Sequence, residues 1–241
     1  MIILYYHDAL EQIGPRIDQA LPGWLAAWPA SVVERVERRR VLDDRRRAAL
    51  GWRLLELHLQ AGGGRGLASA GVDYPASGKP RCDAGLDFNI SHSGSLVGCA
   101  VSDEGRIGLD VERVRAVSKV SWRRYLTEIE RARVASDPAA LFDLWTRKEA
   151  VVKARGQAGI ADVPKVVLQG QQARLHGERW YLLPVELRTD YAACLAAETQ
   201  PRALVLRRVT DLEVGAGLAS RPGASLESVF GQVAPEPPGQ P

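Results

Sequence analysis

Disulfide and zinc frameworks are the first things this sequence lacks the means to build. Its three cysteines, Cys82, Cys99 and Cys194, are odd in number and widely scattered, which argues against a set of bridges and against a zinc site of paired thiolates. A reduced, cytoplasmic setting is therefore expected, and there the sequon Asn89-Ile90-Ser91 carries no glycosylation meaning. No apolar run is long enough to span a bilayer, so no membrane role is expected. The opening MIILYYHDAL has neither a basic flank nor a small-residue cleavage site and reads as a first strand rather than a signal peptide. Charge of one sign is also scarce. With a net charge of +3 the whole-chain field is weak, and no basic stripe is interleaved with aromatics, so nucleic acid is not an expected partner. The glycine-rich GGGRG at 62–66 lacks the lysine and hydroxyl residue of a phosphate-binding P-loop and reads as a flexible connection.

What is present is an ordinary globular composition, 46% hydrophobic and 25% charged over 241 residues, enough for one domain or two small packed halves. LDDRRRAALGWRLLELHLQAGGG has leucines at helical spacing, acids at its start and a glycine stop, and predicts a helix. The turn-rich DYPASGKPRCDAG follows. Then LDFNISHSGSLVGCAVSDEGRIGLDVERV gives short β-like runs, a meander around residue 100. A helical stretch from about 136 to 155 and a second run of strands complete an α+β order repeated twice, with halves 1–103 and 104–215. Residues 216–241 are rich in glycine and proline, and poor order is expected of them. Seven arginines fall within residues 34–47; they suit an anionic ligand or acidic partner, or pair with Glu34, Glu37, Asp43 and Asp44 on a solvated helix.

In an extended IGLDVER, alternation puts Ile107, Leu109 and Val111 on one face and Gly108, Asp110 and Glu112 on the other. The two acids are then about 7 Å apart on one face. Such a pair fits a solvated strand face or convergence on one cation. The helix LFDLWTRKEAVVKARG decides how much weight the second reading bears. Glu149 falls on one stripe with Phe142, Trp145 and Val152. A carboxylate there must be neutralised, by Lys153 one turn on or by a metal ion. Three carboxylates and a lysine make an oxygen site for a hard cation such as magnesium, with a phosphate or pyrophosphate substrate. Ser91 and His92 lie just upstream, where a lone histidine is more often structural than catalytic.

GKP (78–80), FNISHSG (88–94), IGLDVERV (107–114), YLTEIE (125–130) and LWTRKEAVVKARG (144–156) occur in the order and approximate spacing of the 4′-phosphopantetheinyl transferases. The chain resembles the surfactin-synthetase type of that superfamily. The resemblance implies a pseudo-dimer of two similar α+β halves with coenzyme A in the cleft between them. Carried over by position, Asp110, Glu112 and Glu149 would hold magnesium against the pyrophosphate, and Lys153 would contact the phosphates. Lys79, Ser91, His92 and Arg47 would grip the 3′-phosphate and adenine end, with Arg45 and Arg46 as alternatives to Arg47. Glu130 matches an acid near the metal, a base or a water-positioner, so that Glu149, Lys153 and Glu130 form the implied catalytic group. The implied partners are coenzyme A and an acidic acyl or peptidyl carrier protein, acting on a monomer. Two other readings fit the residues: a magnesium-dependent phosphodiesterase or nuclease, and a non-catalytic module that binds coenzyme A or a carrier.

Overall fold

The computed structural model describes residues 1–64, 66–75, 78–116, 122–136, 140–156 and 159–215; the stretch 216–241, expected to be poorly ordered, lies outside them. Strand β1 (Ile2–His7) is followed by helices α1 (Leu10–Ala27), α2 (Ala30–Glu37) and α3 (Leu42–Ala61), then by β2 (Asp87–Ser93), β3 (Leu96–Ser102) and β4 (Ile107–Arg113). Helices α4 (Glu128–Ser136) and α5 (Ala140–Arg155) come next. After them run β5 (Val167–Gln169), β6 (Gln172–Leu175), β7 (Glu178–Pro184), β8 (Tyr191–Ala197), β9 (Leu204–Arg208) and the short α6 (Asp211–Gly215). The mixture is of the α+β class. Helix α3 has Asp43 and Asp44 in its first turn and Gly62 at its C-cap, as its sequence predicts. The three cysteines are free, and no helix among the described residues is long and apolar enough to cross a membrane.

The strands form a four-stranded sheet, β2-β3-β1-β9, and a five-stranded sheet, β4-β8-β7-β6-β5. β9, from late in the chain, lies parallel to β1. Both faces of β1 are apolar and both are used. Ile3 and Tyr5 join Phe88, Val97, Cys99 and Val101 under the helical side chains Ile13, Ile17, Leu50 and Leu54. Ile2 and Leu4 face the other way, against Ile107, Leu109, Val111, Ala193 and Leu195 of the second sheet. The far face of that second sheet packs Trp180, Leu182, Cys194 and Ala196 against Ala150, Val151 and Ala154 of α5. The order of layers is thus helices, sheet, sheet, helix.

β4 does not continue the β2–β3 hairpin as a meander would; it pairs with β8 in the other sheet. Its remaining edge is closed by side chains. Asp87 Oδ2, Asn89 Oδ1, Ser91 Oγ and Ser93 Oγ, alternate residues of β2 and so on one face, accept from the amides of Ile107, Leu109, Val111 and Arg113 at 2.6, 2.8, 3.2 and 3.1 Å. Left bare, the buried amides of Leu109 and Val111 would lose their hydration without replacement. The polar alternation in DFNISHS therefore seals one sheet to the other. Asn89→Ala, which strips the acceptor from the Leu109 amide, should cost about 1–3 kcal/mol in chemical denaturation. A change within error would mean that the seam contributes nothing to stability.

Candidate active site

Gly108 brings the pieces of the site together. It faces α5, and a Cβ there would stand 2.0 Å from the Ala150 carbonyl oxygen and 2.4 Å from the Ala154 amide nitrogen, so only a bare α-carbon lets the helix rest on the strand. That contact lays Glu149 and Lys153 over Asp110 and Glu112. The stripe Phe142, Trp145 and Val152 is buried as its spacing predicts, and Glu149 on the same stripe is half-buried.

Asp110 is 4% exposed, so this face of β4 is not a solvated one. Its Oδ1 accepts from Lys153 Nζ at 2.6 Å and from Ser91 Oγ at 3.3 Å. Lys153 Nζ also lies 3.1 Å from Ser91 Oγ. The simple i,i+4 pair between Glu149 and Lys153 is not formed; the lysine serves Asp110 instead. Asp110 Oδ2 is buried without a hydrogen-bond partner among the described residues. Glu112 Oε2 accepts from Ser93 Oγ at 3.0 Å. Burial, then the Asp110 charge, raises the Glu112 carboxyl above the usual carboxylate range. Glu149 is raised for the same reasons in the same order, against the lowering pull of Lys153 and with a further push from Glu112. Three acids therefore feel one another across a partly desolvated space.

Among the described residues no three His, Cys, Asp or Glu side chains already stand as a metal cage; the positive charge against Asp110 is the Lys153 ammonium. The donor set nonetheless fits a hard divalent cation. Asp110 offers a buried oxygen with nothing bonded to it, and burial, then the Asp110 charge, holds two neighbouring carboxyls above the usual carboxylate range.

The other sequence candidates have distinct settings. Glu130 Oε2 accepts from the Thr127 amide at 2.8 Å, half of a capping box that starts α4. It also receives Lys148 Nζ at 2.8 Å, from a lysine with 0% side-chain exposure. That wholly buried Lys148 was not singled out in the sequence, where it reads as one more charge beside Glu149. Lys79 reaches across the seam between the sheets to the Asp87 carboxylate and, at 2.6 Å, to the Ile107 carbonyl; burial lowers its pKa. His92 is half-buried. Its pKa falls to about 4, chiefly through desolvation and then through the charges of Arg47, Lys153 and Arg39. Arg47 thus faces His92 while pairing with Asp44 at 3.4 Å, whereas Arg46 is committed to Asp18 and Asp43. A cavity of about 630 Å³ opens beside Gly78, Lys79 and Pro80, between them and Ala154, Arg155 and Gly156 at the end of α5.

Residues 106–196 match the family model of the 4′-phosphopantetheinyl transferase superfamily. The chain is 40% identical over 94 residues to the 4′-phosphopantetheinyl transferase AcpT of Salmonella typhimurium, covering 34% of this chain and 48% of that protein. It is 35% identical over 138 residues to the 4′-phosphopantetheinyl transferase HetI of a Nostoc species, covering 52% and 57%. To the 4′-phosphopantetheinyl transferase of Bacillus subtilis it is 31% identical over 142 residues, covering 55% and 62%. The chain spans about half the length of the curated relatives it matches.

Proposed function

We propose that this chain transfers the 4′-phosphopantetheine arm of coenzyme A to a serine of an acyl or peptidyl carrier protein, with magnesium as cofactor. The observation that carries the reading is the bare, buried Asp110 Oδ2 set among Glu112 and Glu149, within a segment of phosphopantetheinyl transferase sequence. Asp110, Glu112 and Glu149 would hold the ion, which when bound neutralises pyrophosphate charge. The serine oxygen forms a bond to the β-phosphorus as the bond from that phosphorus to the bridging oxygen breaks, and 3′,5′-adenosine bisphosphate leaves.

The protein residues supply position, charge and a proton acceptor. Lys153, 30% exposed at its side chain, has an ammonium at the mouth of the site to donate to a phosphate oxygen. Glu130 is already bonded to Lys148 and Thr127. Glu149 has its pKa moved by burial and by neighbouring charges, with no hydrogen bond contributing. The serine proton is therefore assigned to Glu149 and a bracing role to Glu130. His92 with Arg47 suits the 3′-phosphate: a neutral imidazole between cations gains a proton when a phosphate dianion arrives. The cavity beside Lys79 is roomy enough for the adenine end. The two halves would then form the pseudo-dimer whose cleft holds coenzyme A, and the arginines near residues 38–47 would face an acidic carrier.

The direct test is incubation with coenzyme A, magnesium and a panel of apo carrier proteins, weighing the carriers by mass spectrometry. Gain of the phosphopantetheine mass by at least one carrier, abolished by chelator, is expected; no gain on any carrier contradicts the reading. His92→Ala should weaken binding of coenzyme A by about tenfold or more, the scale of a lost charge-assisted hydrogen bond. It should barely change binding of a dephospho analogue lacking the 3′-phosphate. Equal losses for both ligands in calorimetry would make His92 a structural residue of its turn.

A further inference from the structure

We propose that Ser91 and Ser93 are positioning residues that set the orientations of Asp110 and Glu112 through two equivalent hydroxyl bridges, a role that rests on the reading of those acids as cation ligands. The bridges repeat along the strand. The Val111 amide donates to Ser91 Oγ at 3.2 Å and Ser91 Oγ to Asp110 Oδ1 at 3.3 Å. Two residues on, the Arg113 amide donates to Ser93 Oγ at 3.1 Å and Ser93 Oγ to Glu112 Oε2 at 3.0 Å. A backbone amide can only donate, so each hydroxyl must accept from it, which leaves its single proton to point at the carboxylate. Seam and ligand are fixed by the same atom.

The chemistry of the seam changes where this is needed. Asp87 and Asn89 cap the amides of Ile107 and Leu109 and, among the described residues, bridge to no ligating acid, so an acceptor oxygen suffices. Hydroxyls take over opposite Asp110 and Glu112, where a proton must be passed on. Ser91 has a fuller load, since Lys153 Nζ also lies within hydrogen-bonding distance. With Oδ1 held by both Ser91 and Lys153, the other oxygen of Asp110 is the one turned away and left bare. Ligating carboxylates held in this way bind a metal without first losing rotamer freedom.

The test uses Mg2+ alone, titrated into the full chain and read as a thermal shift, on the unsubstituted protein, Ser93→Ala, Ser93→Thr, Glu112→Ala and the double variant Ser93→Ala with Glu112→Ala. Ser93→Ala should weaken the Mg2+ response about tenfold or more, and Ser93→Thr, which keeps the hydroxyl, should restore it. In the Glu112→Ala background the Ser93→Ala change should have no further effect, because the group it orients is gone. The same weakening in both backgrounds would make Ser93 a general support of the seam and overturn the proposal, as would an unchanged Ser93→Ala. An unsubstituted protein that shows no Mg2+ response overturns the ligand reading itself, and this proposal with it. Melting temperatures without Mg2+ show whether each variant is folded.

Discussion

Glu149→Gln should lower phosphopantetheine transfer by orders of magnitude while leaving the magnesium-free protein at least as stable as the unsubstituted one. The side chain keeps its size and gains an amide, so packing against the Trp145 stripe is unchanged. What is lost is the proposed negative ligand and proton acceptor. What is relieved is crowding, since Glu149 is pushed up by burial, by Asp110 and by Glu112. The sign with pH follows. Glu112 and Glu149 both hold their protons more tightly in the folded protein than in the open chain. Their effect on stability is therefore most favourable below the ordinary carboxylate range and is lost as pH rises through that range to their raised values. A cation that binds the ionised acids should stabilise most above that window. Thermal melts should show a magnesium shift near pH 7.5 that shrinks toward pH 4.5 in the unsubstituted protein, and a smaller shift at both in Glu149→Gln. Near-normal transfer by Glu149→Gln at limiting magnesium would return Asp110 and Glu112 to the status of structural acids.

Gly108→Val should be more damaging still, because it removes no functional group and yet moves several. Its branched Cβ would overlap the Ala150 carbonyl and the Ala154 amide, both backbone atoms that cannot swing aside. Helix α5 must rise off β4, at a cost of about 1–3 kcal/mol or more for an overpacked core. Glu149 and Lys153 ride on that helix, and an error of about 1 Å in such a group is enough to cost 100-fold in rate. Denaturation midpoint and transfer rate should fall together, and the melting shift with magnesium should vanish. A stable Gly108→Val protein with full activity would show that the close approach is dispensable. Gly108→Ala tests the same contact with the smallest possible intrusion.

Much of this site was legible in the chain itself. Period-two alternation set Asp110 and Glu112 on the face opposite Ile107, Leu109 and Val111, and helical spacing set Glu149 on the Trp145 stripe; these follow from local geometry that any strand or helix obeys. The stop after α3 at Gly62 was equally local. Local pattern could not say which strand β4 would join. The same alternation serves a meander or a move to a second sheet, and pairing with β8 depends on residues 78 to 90 positions away. Nor could it assign Lys153 to Asp110 in preference to Glu149. Both carboxylates are within a lysine's reach in principle, and only the approach of α5 at Gly108 settles the choice.

The polar alternation of DFNISHS was visible as letters, but its purpose was not, because a side chain that caps another strand's amide looks in sequence like any exposed polar residue. Lys148 is a similar case: nothing in its place beside Glu149 along the chain shows that it is wholly buried against Glu130. Residue identity and spacing alone say which residues carry charge, which faces they share and where α3 stops. The tertiary structure alone decided which of those charges meet, which are buried and which carboxylate oxygen is left bare, since desolvation and pairing are set by what packs against a residue and not by its neighbours along the chain.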